Sequence, residues 1–226
     1  MERARQWVRG WAWCRDTPDP VEEHDGFRID VGLSGHRVRY VITGTASVRE
    51  RSSLTVPGTW LKVCAPREEV LPLLGVGWVV GEPEYLMSVP LGGVGACSVG
   101  VVGARSVGVV GPCSVAEVPD GYRVEVVGER GFHEVVVTGV GGAPAARGRF
   151  AVREGAAVVD QVVTEPEHRR RGLGKLVMGL VGELAAERGA RVGVLVSTVA
   201  GRPLYESLGW RVDSDVVAAH VPGCEV

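Results

Sequence analysis

The residues best suited to chemistry lie in one run: Val162-Val163-Thr164-Glu165-Pro166-Glu167-His168-Arg169-Arg170-Arg171-Gly172-Leu173-Gly174-Lys175. Three arginines and a lysine surround two glycines there. Beyond them Leu173, Leu176, Val177, Leu180, Val181, Leu184 and Ala185 recur at the spacing of one helix face. The cationic turn therefore sits at a helix N-terminus. About four backbone N–H groups lack intrahelical partners at such an end, and aligned peptide dipoles add about half a positive charge. Glycines allow a bulky anion to approach the backbone, so the junction suits a pyrophosphate. Cations at a helix start oppose the dipole, and the arginine cluster suggests an anionic ligand that offsets this repulsion. A solvated helix start and a small nucleic-acid patch are the competing readings of the same residues.

The elements that must position this turn can be read on either side of it. Tyr122 to Val127 and Glu134 to Thr138 are valine-rich with polar alternates, which predicts strands. Gly139 to Pro144 reads as a turn, Gly148 to Val152 as a third strand, and the largely apolar Ala156 to Val163 as a fourth, central one. Gly189 stops the helix. Arg191 to Ser197 predicts a fifth strand, Pro203 to Leu208 a short helix ended by Gly209, and Trp210 to Val217 a last strand. The expected fold is α/β of the α+β type, with a mixed, mostly antiparallel sheet flanked by helices. Strand alternation places Asp160 and Val162 on one face of the fourth strand, Gln161 and Val163 on the other.

The segment from Glu165 to Ala190 resembles the acetyl-CoA-binding motif of the GCN5-related N-acetyltransferase (GNAT) superfamily. The pattern [R/Q]-x-x-G-x-[G/A] is met by Arg169, Gly172 and Gly174. The resemblance implies amide contacts to the pyrophosphate of acetyl-CoA from Arg170, Arg171, Gly172, Leu173, Gly174 and Lys175. It also implies that the fourth strand parts from the fifth, so that the Val162, Val163 and Thr164 backbone receives the pantetheine, with an oxyanion held by N–H groups near Val163. Gly201-Arg202-Pro203-Leu204-Tyr205-Glu206-Ser207-Leu208-Gly209-Trp210 is similar to the family's short helix and turn. There a tyrosine often protonates the departing thiolate, and Tyr205 is the counterpart; the alternative is a core tyrosine that holds the helix to the sheet. Asp160 and Glu165 are candidate bases for the attacking amine, beside deprotonation through water. Where the family often carries an asparagine, this chain reads Ser197-Thr198, whose hydroxyls could replace those bonds.

Residues 60 to 91 follow the same order as 191 to 217: strand, loop, short helix, Gly-Trp, strand. This suggests that the N-terminal part is a degenerate partial copy of the fold without a pyrophosphate loop. The expected organisation is an N-terminal domain over 1–91, a Gly/Val-rich linker or hairpin over 92–118, and the acetyltransferase domain over 119–226. Trp7, Trp11 and Trp13 read as a packed helix face, or as walls of an acceptor pocket. Asp16, Asp19, Glu22 and Glu23 read as a solvated acidic loop, or as an attraction for a cationic amine.

Composition sets the remaining bounds. The 226 residues are 45% hydrophobic and 23% charged, with a net charge of −2, so no global charge draws the chain to nucleic acid or anionic membrane. No apolar stretch approaches the ~20 residues of a spanning helix, and the charged N-terminus lacks a signal-peptide core. Five scattered cysteines and five dispersed histidines show no metal-ligand spacing. The chain is expected to be cytoplasmic and metal-free, with a small-molecule amine as acceptor, no nucleic-acid or membrane partner, and a homodimer open. The implied reaction is direct transfer of an acetyl group from acetyl-CoA to a primary amine. A catalytically weak acyl-CoA-binding or regulatory module of the same fold is the alternative.

Overall fold

Strands separated by glycine turns alternate with helices along the chain, and a computed structural model describes residues 2–92, 108–109, 118–128 and 131–223. In chain order the first elements are α1 (Glu2–Cys14), β1 (Val21–Glu23), β2 (Gly26–Leu33), β3 (His36–Thr43), α2 (Val48–Ser52) and β4 (Thr59–Cys64). Next come α3 (Arg67–Val70), β5 (Val79–Val80), β6 (Glu84–Pro90), β7 (Gly108–Val109), β8 (Arg123–Gly128), β9 (His133–Thr138) and β10 (Pro144–Arg153). The chain ends with β11 (Ala156–Thr164), α4 (Leu173–Glu187), β12 (Val192–Thr198), α5 (Arg202–Ser207) and β13 (Arg211–His220). Almost all of the Gly/Val tract expected as linker or hairpin lies outside the described residues. The fold class is the one read from the sequence: a mixed, mostly antiparallel sheet with helices.

The contacts divide the chain into two compact units, Met1–Ser88 with Leu195–Val226, and Val89–Val194. This division cuts the expected 119–226 domain after Val194, because β13 pairs antiparallel with β4 and β6 of the first unit.

In the first unit β1, β2 and β3 form antiparallel ladders, and β3 then pairs parallel to β4. One core holds Ile42, Val48, Leu61, Val63, Val70 and Val217, with Trp78 packed against it. Trp78 also donates its indole N–H to Ser52 O at 2.7 Å, which ties the Gly-Trp turn to α2. Helix α1 buries Trp7 and Trp11, so the tryptophan spacing reads as packing, as its periodicity suggests. Of the acidic residues after α1, Glu22 pairs with Arg5 and Glu23 and Asp25 pair with Arg51, while Asp19 accepts from the Trp13 indole at 3.1 Å.

In the second unit β7 to β11 run antiparallel, and β11 pairs parallel to β12. Helix α4 is the crossover between β11 and β12, as short parallel connections require. Its periodic face, including Leu173, Leu176, Val177, Leu180, Val181 and Leu184, is buried. At ~25 cal/mol per Å² this burial is what holds the helix, since its three glycines after Leu173 weaken its intrinsic propensity.

The two halves of the chain follow one order of elements: antiparallel strands, a helix, a parallel strand, a short helix, and a final strand, although α5 and β13 of the second half belong to the first unit. The N-terminal version of the crossover is α2, which has 5 residues against 15 in α4. There the β3–β4 ladder runs without interruption from Val38–Thr59 to Thr43–Cys64.

Candidate functional site

Strand β11 departs from regular alternation where the chemistry was expected. Arg147 of β10 pairs with Val163 and Arg149 with Asp160, so two residues, Gln161 and Val162, face the single Gly148. Gln161 takes a left-handed φ of 54°, a β-bulge conformation that bends the strand. The bulge corrects the expected alternation: the register puts Asp160 with Val163, not with Val162, because the extra residue shifts every side chain beyond it by one. Gly148 leaves the space this requires, since a Cβ there would stand 2.7 Å from Val177 Cγ1 and 3.4 Å from Val162 Cγ2.

The parallel ladder between β11 and β12 joins only Ala156–Val192, Ala157–Gly193 and Val158–Val194, and stops short of Thr164 at the end of β11. The corresponding strands of the first unit stay paired along their length. The residues expected to receive pantetheine, Val162, Val163 and Thr164, lie on the part of β11 beyond the ladder.

From β11 the chain enters a short 3-10 turn over Pro166–His168 and then the glycine turn. Glu165 N–H donates to Ala145 O at 2.9 Å, and Arg169 Nε donates to Thr164 O at 3.2 Å. Arg170 has φ 62° and Gly172, the N-cap of α4, has φ 80°. The first helical bond to the cap is Leu176 N–H to Gly172 O at 3.0 Å. Consequently the backbone N–H groups of Arg170, Arg171, Gly172, Leu173, Gly174 and Lys175 have no acceptor among the described residues. The side chains of Arg169, Arg170, Arg171 and Lys175 are exposed and form no ion pair with a carboxylate among those residues. Consecutive amides around left-handed residues make an anion-binding concavity, and the helix dipole and four cations act in the same direction. The donor set therefore fits the diphosphate group of acetyl-CoA.

The candidate bases are placed differently. Asp160 lies at the bulge, opposite Arg149, and is half-buried. Glu165 follows the strand, half-buried, at the start of the 3-10 turn.

Tyr205 and Ser197 belong to the first unit. Tyr205 is on α5, which begins with Pro203 in its first turn and ends at Gly209 with φ 84°. Its ring is buried and lies 6.0 Å from that of Trp210. A Cβ on Gly201 would come within 3.2 Å of the Tyr205 ring, 3.3 Å of Ser197 Oγ and 3.4 Å of Thr198 Oγ1, so these groups surround one glycine. Ser197 is buried and donates its hydroxyl to Thr198 O at 2.8 Å.

Sequence reasoning did not single out Tyr122 and His168. The Tyr122 hydroxyl lies 2.9 Å from His168 Nδ1 and accepts a bond from Arg171 Nη1 at 3.1 Å. The one sequence signal was a tyrosine at the start of a strand, which is too common to point anywhere. Among the described residues no cluster of His, Cys, Asp and Glu is arranged to hold a metal ion. No described helix is long and apolar enough to cross a membrane.

Residues 108–212 match the family model of an acetyltransferase (GNAT) domain. Among solved structures the chain is similar to a GCN5-related N-acetyltransferase from Kribbella flavida, with 18% identity over 99% of this chain and 97% of that one, and a TM-score of 0.63. It is also similar to a putative acetyltransferase of the GNAT family from Novosphingobium aromaticivorans, at 20% identity over 88% and 89% of the two chains with a TM-score of 0.55. A GCN5-related N-acetyltransferase from Sphaerobacter thermophilus matches at 13% identity, 88% and 78% coverage and a TM-score of 0.56. At these identities the likeness is one of fold. No curated protein matches the chain.

Proposed function

We propose, from the match of residues 108–212 to the family model of a GNAT acetyltransferase domain, that the protein transfers an acetyl group from acetyl-CoA to a primary amine of a small molecule. The observation that carries this reading is the run of amides from Arg170 to Lys175 that have no acceptor among the described residues, beside four cations that meet no carboxylate among them. A protein that left such a site solvated would tolerate the repulsion of its own helix dipole for nothing. The diphosphate of acetyl-CoA supplies the matching charge and acceptors. Val162, Val163 and Thr164, beyond the end of the β11–β12 ladder, are assigned to the pantetheine.

The chemistry requires three things of the chain. The amine must be neutral to attack the thioester carbonyl, so Asp160 or Glu165, directly or through water, takes its proton. The carbonyl oxygen gains charge as the C–N bond forms, and N–H groups near Val163 are assigned to it. When the C–S bond breaks, the sulfur accepts a proton from Tyr205. The Tyr205 role rests on the likeness of Gly201–Trp210 to the family's short helix, and Ser197 is assigned to the pantetheine on the same ground.

The test is titration calorimetry with acetyl-CoA on the wild type and on an Arg169→Glu/Gly172→Glu variant. Micromolar binding that the variant abolishes is expected. Absence of binding to the wild type at millimolar acetyl-CoA would remove the basis of the proposal. Once an amine that releases free thiol is found, Tyr205→Phe should slow turnover on the order of a hundredfold and leave acetyl-CoA affinity unchanged. An unaltered rate would leave the protein as an acyl-CoA-binding module.

A further inference from the structure

We infer that Tyr122 is a positioning residue for the phosphate-binding turn, acting through His168 and Arg171; this rests on the acetyl-CoA reading above. Tyr122 sits in the turn before β8, with its own N–H bonded to Pro119 O at 3.2 Å. Its side chain crosses to the 3-10 turn and the glycine turn, segments more than forty residues away in sequence. One hydroxyl serves both neighbours. It accepts from the Arg171 guanidinium, which can only donate, and shares a second hydrogen bond with His168 Nδ1, whose direction follows the imidazole tautomer.

The surroundings fit a clamp rather than a passing contact. The Tyr122 and His168 rings meet edge to face, 5.6 Å apart at 77°. His168 lies over Gly139, where a Cβ would stand 3.3 Å from His168 Cε1 and 3.8 Å from Tyr122 Cε1. The absence of a side chain at 139 is thus what admits the imidazole. The turn is held on both sides of Arg170, by His168 before it and Arg171 after it. Arg170 itself has φ 62°, a left-handed conformation that strains a non-glycine residue. A strained residue between two anchored ones keeps its amide aimed with those that follow. Binding then loses less entropy, because the donors are already convergent.

Tyr122→Phe keeps the ring and removes both bonds. Acetyl-CoA Kd is expected to rise about fivefold, the worth of one net hydrogen bond. Affinity for S-acetylpantetheine, which carries the thioester but no phosphate, should not change, nor should the melting temperature of the ligand-free protein. Gly139→Ala, which displaces His168 from the other side, should weaken acetyl-CoA alone in the same way. In an Arg171→Ala background Tyr122→Phe should add less than it does in the wild type, since the two share one bond. Wild-type protein that fails to bind acetyl-CoA would undo the functional reading itself. Wild-type binding with an unchanged Tyr122→Phe affinity, or an equal loss for acetyl-CoA and S-acetylpantetheine, would overturn the positioning role alone.

Discussion

A Cβ on Gly148 would stand 2.7 Å from Val177 Cγ1, so strand β10 and helix α4 meet at the one residue of β10 that faces the β11 bulge. Val177 is fully buried, in an interior that is close-packed as protein cores are. Gly148→Ala should therefore cost about 1–3 kcal/mol through overpacking, seen as a lower urea midpoint. It should also weaken acetyl-CoA binding, because the displaced helix carries the amide donors. A variant as stable as the wild type would mean that the helix is not seated on Gly148.

Gly172 is the opposite case. A Cβ there meets nothing within 4 Å, but the backbone has φ 80°. Gly172→Ala should lose about 1–2 kcal/mol from left-handed strain alone. Relaxing that strain rotates the amides that follow, so acetyl-CoA affinity should fall with stability. Retained affinity in a destabilised Gly172→Ala protein would separate the cap from the anion site.

Lys62 is buried on β4 with its ammonium ion-paired to Glu84. Burial lowers the Lys62 pKa, and Glu84 opposes that shift. Removing Glu84 alone strands a charge, and Glu84→Ala should cost about 3–5 kcal/mol. Replacing both groups, as Lys62→Met with Glu84→Leu, should be close to neutral by the same comparison. Chemical unfolding of the three proteins checks this; a double variant as unstable as Glu84→Ala would show that the pair contributes stability of its own.

Two histidines predict the pH dependence of stability. Burial, then Arg39, Lys62 and Arg15, push the His36 pKa down to about 4, and burial with Arg188 lowers that of His133. Each accepts a bond at Nε2, from Arg39 Nε at 3.2 Å and Arg188 Nε at 3.1 Å, so each is neutral in the fold. The unfolded chain protonates its histidines near pH ~6.5. Below that pH the unfolded state binds more protons, and stability falls as pH falls from about 6.5 toward 4. Melting temperatures should decline between about pH 7.5 and pH 5, above the range in which carboxylates titrate. A His36→Gln/His133→Gln variant should lose most of that slope; the same slope would assign it elsewhere.

Much of this molecule could be read from its sequence, where the signal was local. The period of the apolar residues after Arg171 marked helix α4, which runs Leu173–Glu187, and Gly189, with φ 83°, ends it as a glycine stop should. The short helix around Tyr205 and the glycine after it were legible for the same reason. The repeated strand, short helix, Gly-Trp order likewise announced that the N-terminal half shares the topology of the C-terminal half.

The sequence by itself thus determined the elements of the C-terminal half, their order and the cationic glycine turn, because periodicity, capping and turn chemistry act over a few residues. Strands β1 to β3 and helix α2 were not read from it. Tertiary structure decided what the site does with them. Nothing in Val158-Val159-Asp160-Gln161-Val162-Val163 marks Gln161 as the extra residue; the bulge exists because Arg147 and Arg149 of β10 pair on either side of it. The resemblance implied that β11 parts from β12, but the point of parting, after Val158, and the closed N-terminal ladder come from the strand pairing. Strand pairing depends on residues far apart along the chain, and so does the hydroxyl of Tyr122 between His168 and Arg171. Those contacts form only after the fold has brought three separate segments together, which is why local reading picked out the cationic glycine turn and missed Tyr122.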